Sequence, residues 1–319
     1  MDHLKGCIYL FGAFTLAGTS VIAAHFLSPY LGTFTITAMS LFFAFSFLLV
    51  ICKNKLLVFI KQLSMREWGL IIVQALFGIF LFRLFLLQGL LYTTSGEAGI
   101  LTGATPAFTA VLAWLILKEP LSKKGGAGIV LTVAGVLLIQ GILLPGYKFE
   151  EEHMFGNILV LCAAMSEAIF NIFSRINSLK VEASSKTPID PVVQTALVSA
   201  IAFIFCIVPS LFEKPVSRLL SIGLIQWLAL AWYGIIVTAL AFIFWYAGIK
   251  RCKASVAAAF SGMMPFTSLL LSVLIIHENA GWHQWIGGLL VMAGLYVIGK
   301  QPAKENLKPL KKPTQSLNT

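Results

Sequence analysis

Apolar runs of about twenty residues, the length that carries a helix across a bilayer core, recur ten times along this chain. They fall at Gly6–Phe26, Leu31–Cys52, Trp68–Tyr92, Glu97–Leu117 and Gly125–Leu144, then at Phe155–Ile176, Pro191–Leu211, Ile222–Ile249, Ala254–Ile276 and Trp282–Gly299. The connections are too short to hold a soluble domain, and the stretch 301–319, rich in Lys, Pro and polar residues, reads as a disordered basic tail. The expected fold is an all-α integral membrane protein of ten transmembrane helices. Composition agrees: 58% of the 319 residues are hydrophobic and 11% charged, against roughly 25% charged in a soluble domain, and the mean hydropathy is +0.90. The first run is longer than the apolar core of a secretory signal, about 7–15 residues, and is read as a spanning helix.

The net charge of +10 changes the picture only through its placement. With the N-terminus on the cytoplasmic side, nineteen Lys and Arg fall on inside segments, three (Lys148, Lys214, Arg218) fall on outside loops, and Arg83 lies within a span. That asymmetry is the positive-inside signature. It predicts a plasma (inner) membrane protein with both termini cytoplasmic, and it accounts for the basicity without nucleic acid. The five cysteines are scattered and odd in number, with no CxxC pair, so neither a disulfide framework nor a metal site is expected.

A shift of 159 residues lays positions 68–139 over 227–298 with sixteen identities in 72 positions and no gap. The matches include Trp68 with Trp227, Pro106 with Pro265, Glu119 with Glu278, and four glycines (Gly89, Gly103, Gly128, Gly135) with Gly248, Gly262, Gly287 and Gly294. Earlier in each half, Gly6 pairs with Gly156 at a shift of 150. The chain thus reads as two repeats, 1–148 and 149–300. Each holds five spans, an odd number, so the second enters the membrane upside down. Inverted repeats of this kind place a solute site near the midplane between the halves. Pro106 and Pro265 sit mid-span and remove hydrogen bonds from the carbonyls of Thr102 and Ser261, predicting paired kinks that either bend around a cavity or are satisfied by tight packing.

The run Thr102–Gly103–Ala104–Thr105–Pro106–Ala107–Phe108–Thr109, followed by Leu117–Lys118–Glu119–Pro120, is echoed by Ser261–Gly262–Met263–Met264–Pro265–Phe266–Thr267–Ser268 and then His277–Glu278. With the glycine-rich fifth and tenth spans, the chain resembles the drug/metabolite transporter superfamily, EamA-like branch, over residues 1–300. The resemblance implies a basket in which the first, third, fourth, sixth, eighth and ninth spans surround a cavity, and alternating access without ATP. The absence of a GxxxxGK[ST] loop agrees. Substrates in the family include amino acids, nucleoside-like metabolites and drugs, so the likeness does not select one.

Two ionisable residues lie deep in spans, Arg83 in the third and Glu167 in the sixth. Such charges face a cavity or a partner. Neither recurs in the other half, where Phe242 and Ala17 stand. Three readings stay open: Arg83 captures an anionic group with Glu167 as counter-charge or proton acceptor, the two form a structural pair, or they never meet and Arg83 snorkels. Glu167, Asn171 and Ser174 make a polar stripe on the sixth span, and Gly12, Thr15 and Thr19 a milder one on the first; each is a cavity wall or interhelical glue. Trp232, Tyr233, Trp245 and Tyr246 in the eighth span and Trp114 in the fourth offer ring faces to a solute or simply pack. His25, Glu97 and His153 lie near the outer mouth as candidates for solute entry, and Glu119 and Glu278 are placed to cap or brace the next helix. The expected function is secondary transport of a small solute, anionic or zwitterionic, with proton coupling open. No cofactor is expected and a monomer suffices. HExxH, GxSxG and carboxylate or histidine clusters are absent from the spans, which argues against an enzyme. A non-transporting scaffold is the rival reading.

Overall fold

A computed structural model describes residues 2–116, 123–139, 151–184, 190–249, 251, 260 and 263–299. Ser261, Glu119 and the tail 301–319 lie outside the described residues. Among the described residues there is no strand. The main helices are α1 (Leu4–Leu27), α2 (Thr33–Lys61), α3 (Met65–Gly89), α4 (Ser95–Ile116), α5 (Lys123–Ile139), α6 (Glu151–Ser174), α7 (Pro191–Leu211), α8 (Leu224–Gly248), α9 (Met263–Ile276) and α10 (Trp282–Gly299). Seven of them, α1 to α4 and α6 to α8, are long and apolar enough to cross a membrane.

Local chemistry sets the starts. Ser64 and Glu67 form a reciprocal capping box ahead of α3: the Ser64 amide donates to Glu67 Oε2 at 2.7 Å and the Glu67 amide to Ser64 Oγ at 3.4 Å. Asp190 caps α7 by accepting from the Val192 amide at 2.9 Å, with Pro191 at the first helical position. Helix α2 outruns its predicted end at Cys52 and reaches Lys61, because nothing in Lys53–Ile60 breaks a helix once the polar side chains meet water. Three stretches widen into π-helix: Leu76–Leu81 in α3, Trp232–Leu240 in α8 and Ser272–Ile276 in α9. Such segments loosen the turn locally and redirect the side chains that follow.

In lipid the hydrophobic effect does little between helices, so close backbone approach decides packing. Helix α5 lies against α10 through paired glycines. A Cβ on Gly135 would sit 2.6 Å from the Gly287 carbonyl, and one on Gly294 would sit 2.6 Å from the Gly128 carbonyl. Helix α3 meets α6 where Gly89 faces Val160, and α8 meets α1 where Gly248 faces Leu10. Helix α4 crosses α9 at Gly99, whose added Cβ would lie 2.0 Å from Ser268 Cβ. Helices α2 and α7 pack through Leu41, Ala44, Leu48, Val193, Ala196 and Ala202.

Candidate functional site

Arg83 follows the π-helical turn of α3 and is 4% exposed. Its guanidinium Nη1 donates to Ser40 Oγ on α2 at 2.7 Å, Nη2 donates to Thr238 Oγ1 on α8, and Cζ stands 4.2 Å over the ring of Tyr233. The two hydroxyls are available as acceptors because their hydrogens go elsewhere: Ser40 Oγ donates to the Thr37 carbonyl at 3.0 Å, and Thr238 Oγ1 to the Tyr233 carbonyl at 2.8 Å. That second bond spans five residues, as the π-helical turn allows. Gly234 lets α8 approach, since a Cβ there would stand 2.1 Å from the Ser40 carbonyl. Arg83 therefore neither pairs with Glu167 nor snorkels. Neutral oxygens and an aromatic face enclose it, tying α3 to α2 and α8. Tyr233, 1% exposed, is part of this enclosure.

Glu167 lies on the face of α6 turned to α4 and is partly exposed. Thr105 Oγ1 donates to its Oε2 at 2.9 Å, and one turn along Asn171 Nδ2 stands 3.5 Å from Thr109 Oγ1. Thr105 also lies 2.8 Å from the Thr102 carbonyl, the group that Pro106 deprives of its amide partner. Around that proline α4 breaks into Ser95–Thr102 and Thr105–Ile116, joined by tight bonds from the Gly103 amide to Ile100 O (2.9 Å) and the Ala104 amide to Leu101 O (3.0 Å). Thr105, at the start of the second segment, links this break to the α6 carboxylate. Pro265 lies within the helix Met263–Leu271.

The remaining candidates separate by location. Thr19 Oγ1 accepts from Trp232 Nε1 at 2.9 Å and donates to the Leu16 carbonyl at 2.7 Å, joining α1 to α8. Thr15 Oγ1 is buried without a hydrogen-bond partner. Gln74 accepts from Gln194 at 3.0 Å and Gln88 donates to Thr33 at 2.8 Å, so both are interhelical ties. Trp245 and Tyr246 form an aromatic group with Phe170 and Phe242, while Trp114 is 51% exposed.

The end of the bundle that carries Ser95 is held by hydrogen bonds between helices. His277 takes a left-handed conformation (φ 60°) and ends α9, a backbone state that His tolerates better than most residues. The chain then turns so that Glu278 accepts from the Ser95 and Gly96 amides, both at 2.9 Å. Glu278, placed by the sequence to cap or brace the next helix, caps α4 rather than α10, which Gln284 caps through the Gly281 amide at 3.0 Å. Glu97, 5% exposed, accepts from Gln284 Nε2 at 2.6 Å and lies 2.8 Å from His153 Nε2. His25 Nδ1 stands 3.1 Å from Ser95 Oγ. These groups tie α4, α6, α9 and α10 together at this end, where Glu278 and Gln284 also line a small cavity with Gly96 and Ser272.

Residues 4–141 and 154–300 both match the EamA-like transporter family. The chain belongs to that family. Its EamA-like relatives include an uncharacterized transporter, YetK, of Bacillus subtilis (strain 168), 29% identical over 300 residues that cover 92% of this chain and 88% of that one. A probable amino-acid metabolite efflux pump of Salmonella typhimurium (strain LT2) is 29% identical over 206 residues, 64% of this chain and 67% of the pump. A crystal structure superposes with a TM-score of 0.60 at 19% identity, covering 92% of this chain and 95% of that one, and so shares the fold. An EamA-like protein is a membrane transporter, not an enzyme. Ser40 and Thr238, which sequence reasoning did not single out, and Thr105 and Thr109, which it named only within the repeated proline run, hydrogen-bond to Arg83, Glu167 and Asn171; a hydroxyl facing a polar group on another helix carries no pattern along the chain.

Proposed function

We propose that this EamA-like protein is a secondary transporter that moves a small solute, amino-acid-like in size, by alternating access, with Glu167, Asn171, Thr105 and Thr109 as the polar wall of its site. The observation that carries the reading is an asymmetry of burial along the bundle. All eight residues of Ser95–Thr102 are buried, but only Thr105 and Ala107 of Thr105–Ile116 are, and Glu167, Asn171 and Thr109 are partly exposed. The Ser95 end of α4 is packed on all sides and the polar stripe lies on its less buried half, which suits a site reached from that half.

Ten spans in two inverted halves, 1–148 and 149–300 with cytoplasmic termini, complete the proposal. It is supported by the pairing of equivalent elements. Helix α4 packs antiparallel to α9, α5 to α10 and α2 to α7, and the contact of Gly89 with Val160 is repeated by Gly248 with Leu10. The π-helical turns of α3 and α8 also fall at equivalent positions. Export is the direction favoured, since relatives named as efflux pumps share the fold. The test is flux of an amino-acid panel in proteoliposomes. Glu167→Gln retains its bond with Thr105 and its melting temperature, yet loses at least about tenfold in flux, roughly 1.4 kcal/mol of solute interaction. Flux equal to the native protein would show that the wall lies elsewhere.

A further inference from the structure

The charge of the solute follows from which ionisable group the fold leaves available. Arg83 is 4% exposed, with its two terminal nitrogens on Ser40 and Thr238 and its face on Tyr233. A solute carboxylate could reach it only by dismantling the junction of α2, α3 and α8. Glu167 is the reverse case. It is partly exposed, and among the described residues no Lys, Arg or His lies within ion-pair distance of it. Its one donor, the Thr105 hydroxyl, has a single hydrogen that also lies within reach of the Thr102 carbonyl orphaned by Pro106. Asn171, the next polar side chain on the stripe, is turned to Thr109. A carboxylate in lipid with at most one shared donor is short of both hydrogen bonds and positive charge.

We infer that Glu167 binds the ammonium group of an amine-bearing solute. An ammonium brings three N–H donors and the missing charge together, whereas a solute carboxylate would meet like charge with no cation among the described residues paired to offset it. One turn from Glu167, Phe170 contacts Trp245 and Phe242 at centroid distances of 6.1 and 6.4 Å, placing aromatic surface of α8 beside the site for the apolar body of the solute. The inference rests on the transporter reading above and replaces Arg83 with Glu167 as the charge that selects.

The test uses the purified full chain and three probes of one shape: 3-methylbutylamine, leucine and 4-methylpentanoate, at equal millimolar concentration and neutral pH. Carbodiimide labelling of Glu167 is followed by mass spectrometry of its peptide. The amine and leucine should slow labelling about threefold or more, as occupancy of a single site requires, and 4-methylpentanoate should leave it unchanged. Thermal stabilisation by the amine should be present in the native protein and absent in Glu167→Gln. Equal protection by 4-methylpentanoate overturns the inference. So does labelling that responds to pH but to neither amine, which would make the proton the only cation bound. Leucine counterflow in proteoliposomes reads transport separately. Flux that carries 4-methylpentanoate as fast as leucine sinks the amine site and leaves the transporter standing, whereas amine protection with no flux of any solute sinks the transporter reading.

Discussion

A guanidinium has five donors and no acceptor, so burying one demands oxygens whose own hydrogens are already engaged. Ser40 and Thr238 meet that demand because each donates to a backbone carbonyl of its own helix, and the Tyr233 ring supplies a face, an interaction worth about 2 kcal/mol when desolvated. Thr238→Val removes one acceptor from a buried charge and should cost about 1.5–3 kcal/mol, read as a lower melting temperature in detergent. Arg83→Met should destabilise as well, and combining it with Thr238→Val should cost less than the sum, because the hydroxyl then has no charge to serve. Additive losses would mean that the two side chains do not act as a unit. Flux loss in an Arg83 variant should therefore come with lost stability, while Glu167→Gln should lose flux alone.

At the level of helices, small residues set where α4 and α9 touch. An added Cβ at Gly99 has no room beside Ser268, whereas one at Gly126 meets nothing within 4 Å. Gly99→Val should force the helices apart at the Ser95 end, with at least about 2 kcal/mol lost to overpacking. Gly126→Ala should change the melting temperature little or raise it, since alanine favours a helix by up to about 1 kcal/mol. Comparable losses in both variants would show that the crossing is not set by this contact. The Glu278 cap belongs to the same junction. Glu278→Gln keeps one acceptor but loses the charge at the α4 N-terminus, a change of about 1 kcal/mol. Hydrogen exchange of the Ser95 and Gly96 amides should quicken about fivefold, the equivalent of that energy. Unchanged exchange would show that the cap does not hold that end.

For the whole molecule, the placement of basic residues makes a topological prediction. Lys214, exposed and left-handed at φ 55°, should react with an impermeant amine reagent on intact cells, while Lys61, at the end of α2 that leads to α3, should be reached only after permeabilisation. Labelling of Lys61 from outside would break the antiparallel arrangement. Much of the architecture was legible along the chain because lipid imposes it. Runs of about twenty apolar residues form the long helices, and a repeat at a fixed shift is written in glycines that meet at helix crossings. The break in α4 next to Pro106 has a local cause, since a proline lacks an amide hydrogen. The roles of Arg83 and Glu167 were not readable, because their partners lie on helices 43 to 155 residues away and hydroxyls that face an ion look no different in sequence from those that face their own backbone. The sequence by itself determined an all-helical protein built of apolar, membrane-spanning segments, and its family. Only the tertiary structure decided that Arg83 is enclosed and Glu167 left open, because the fate of a charge depends on which neighbours the fold brings to it.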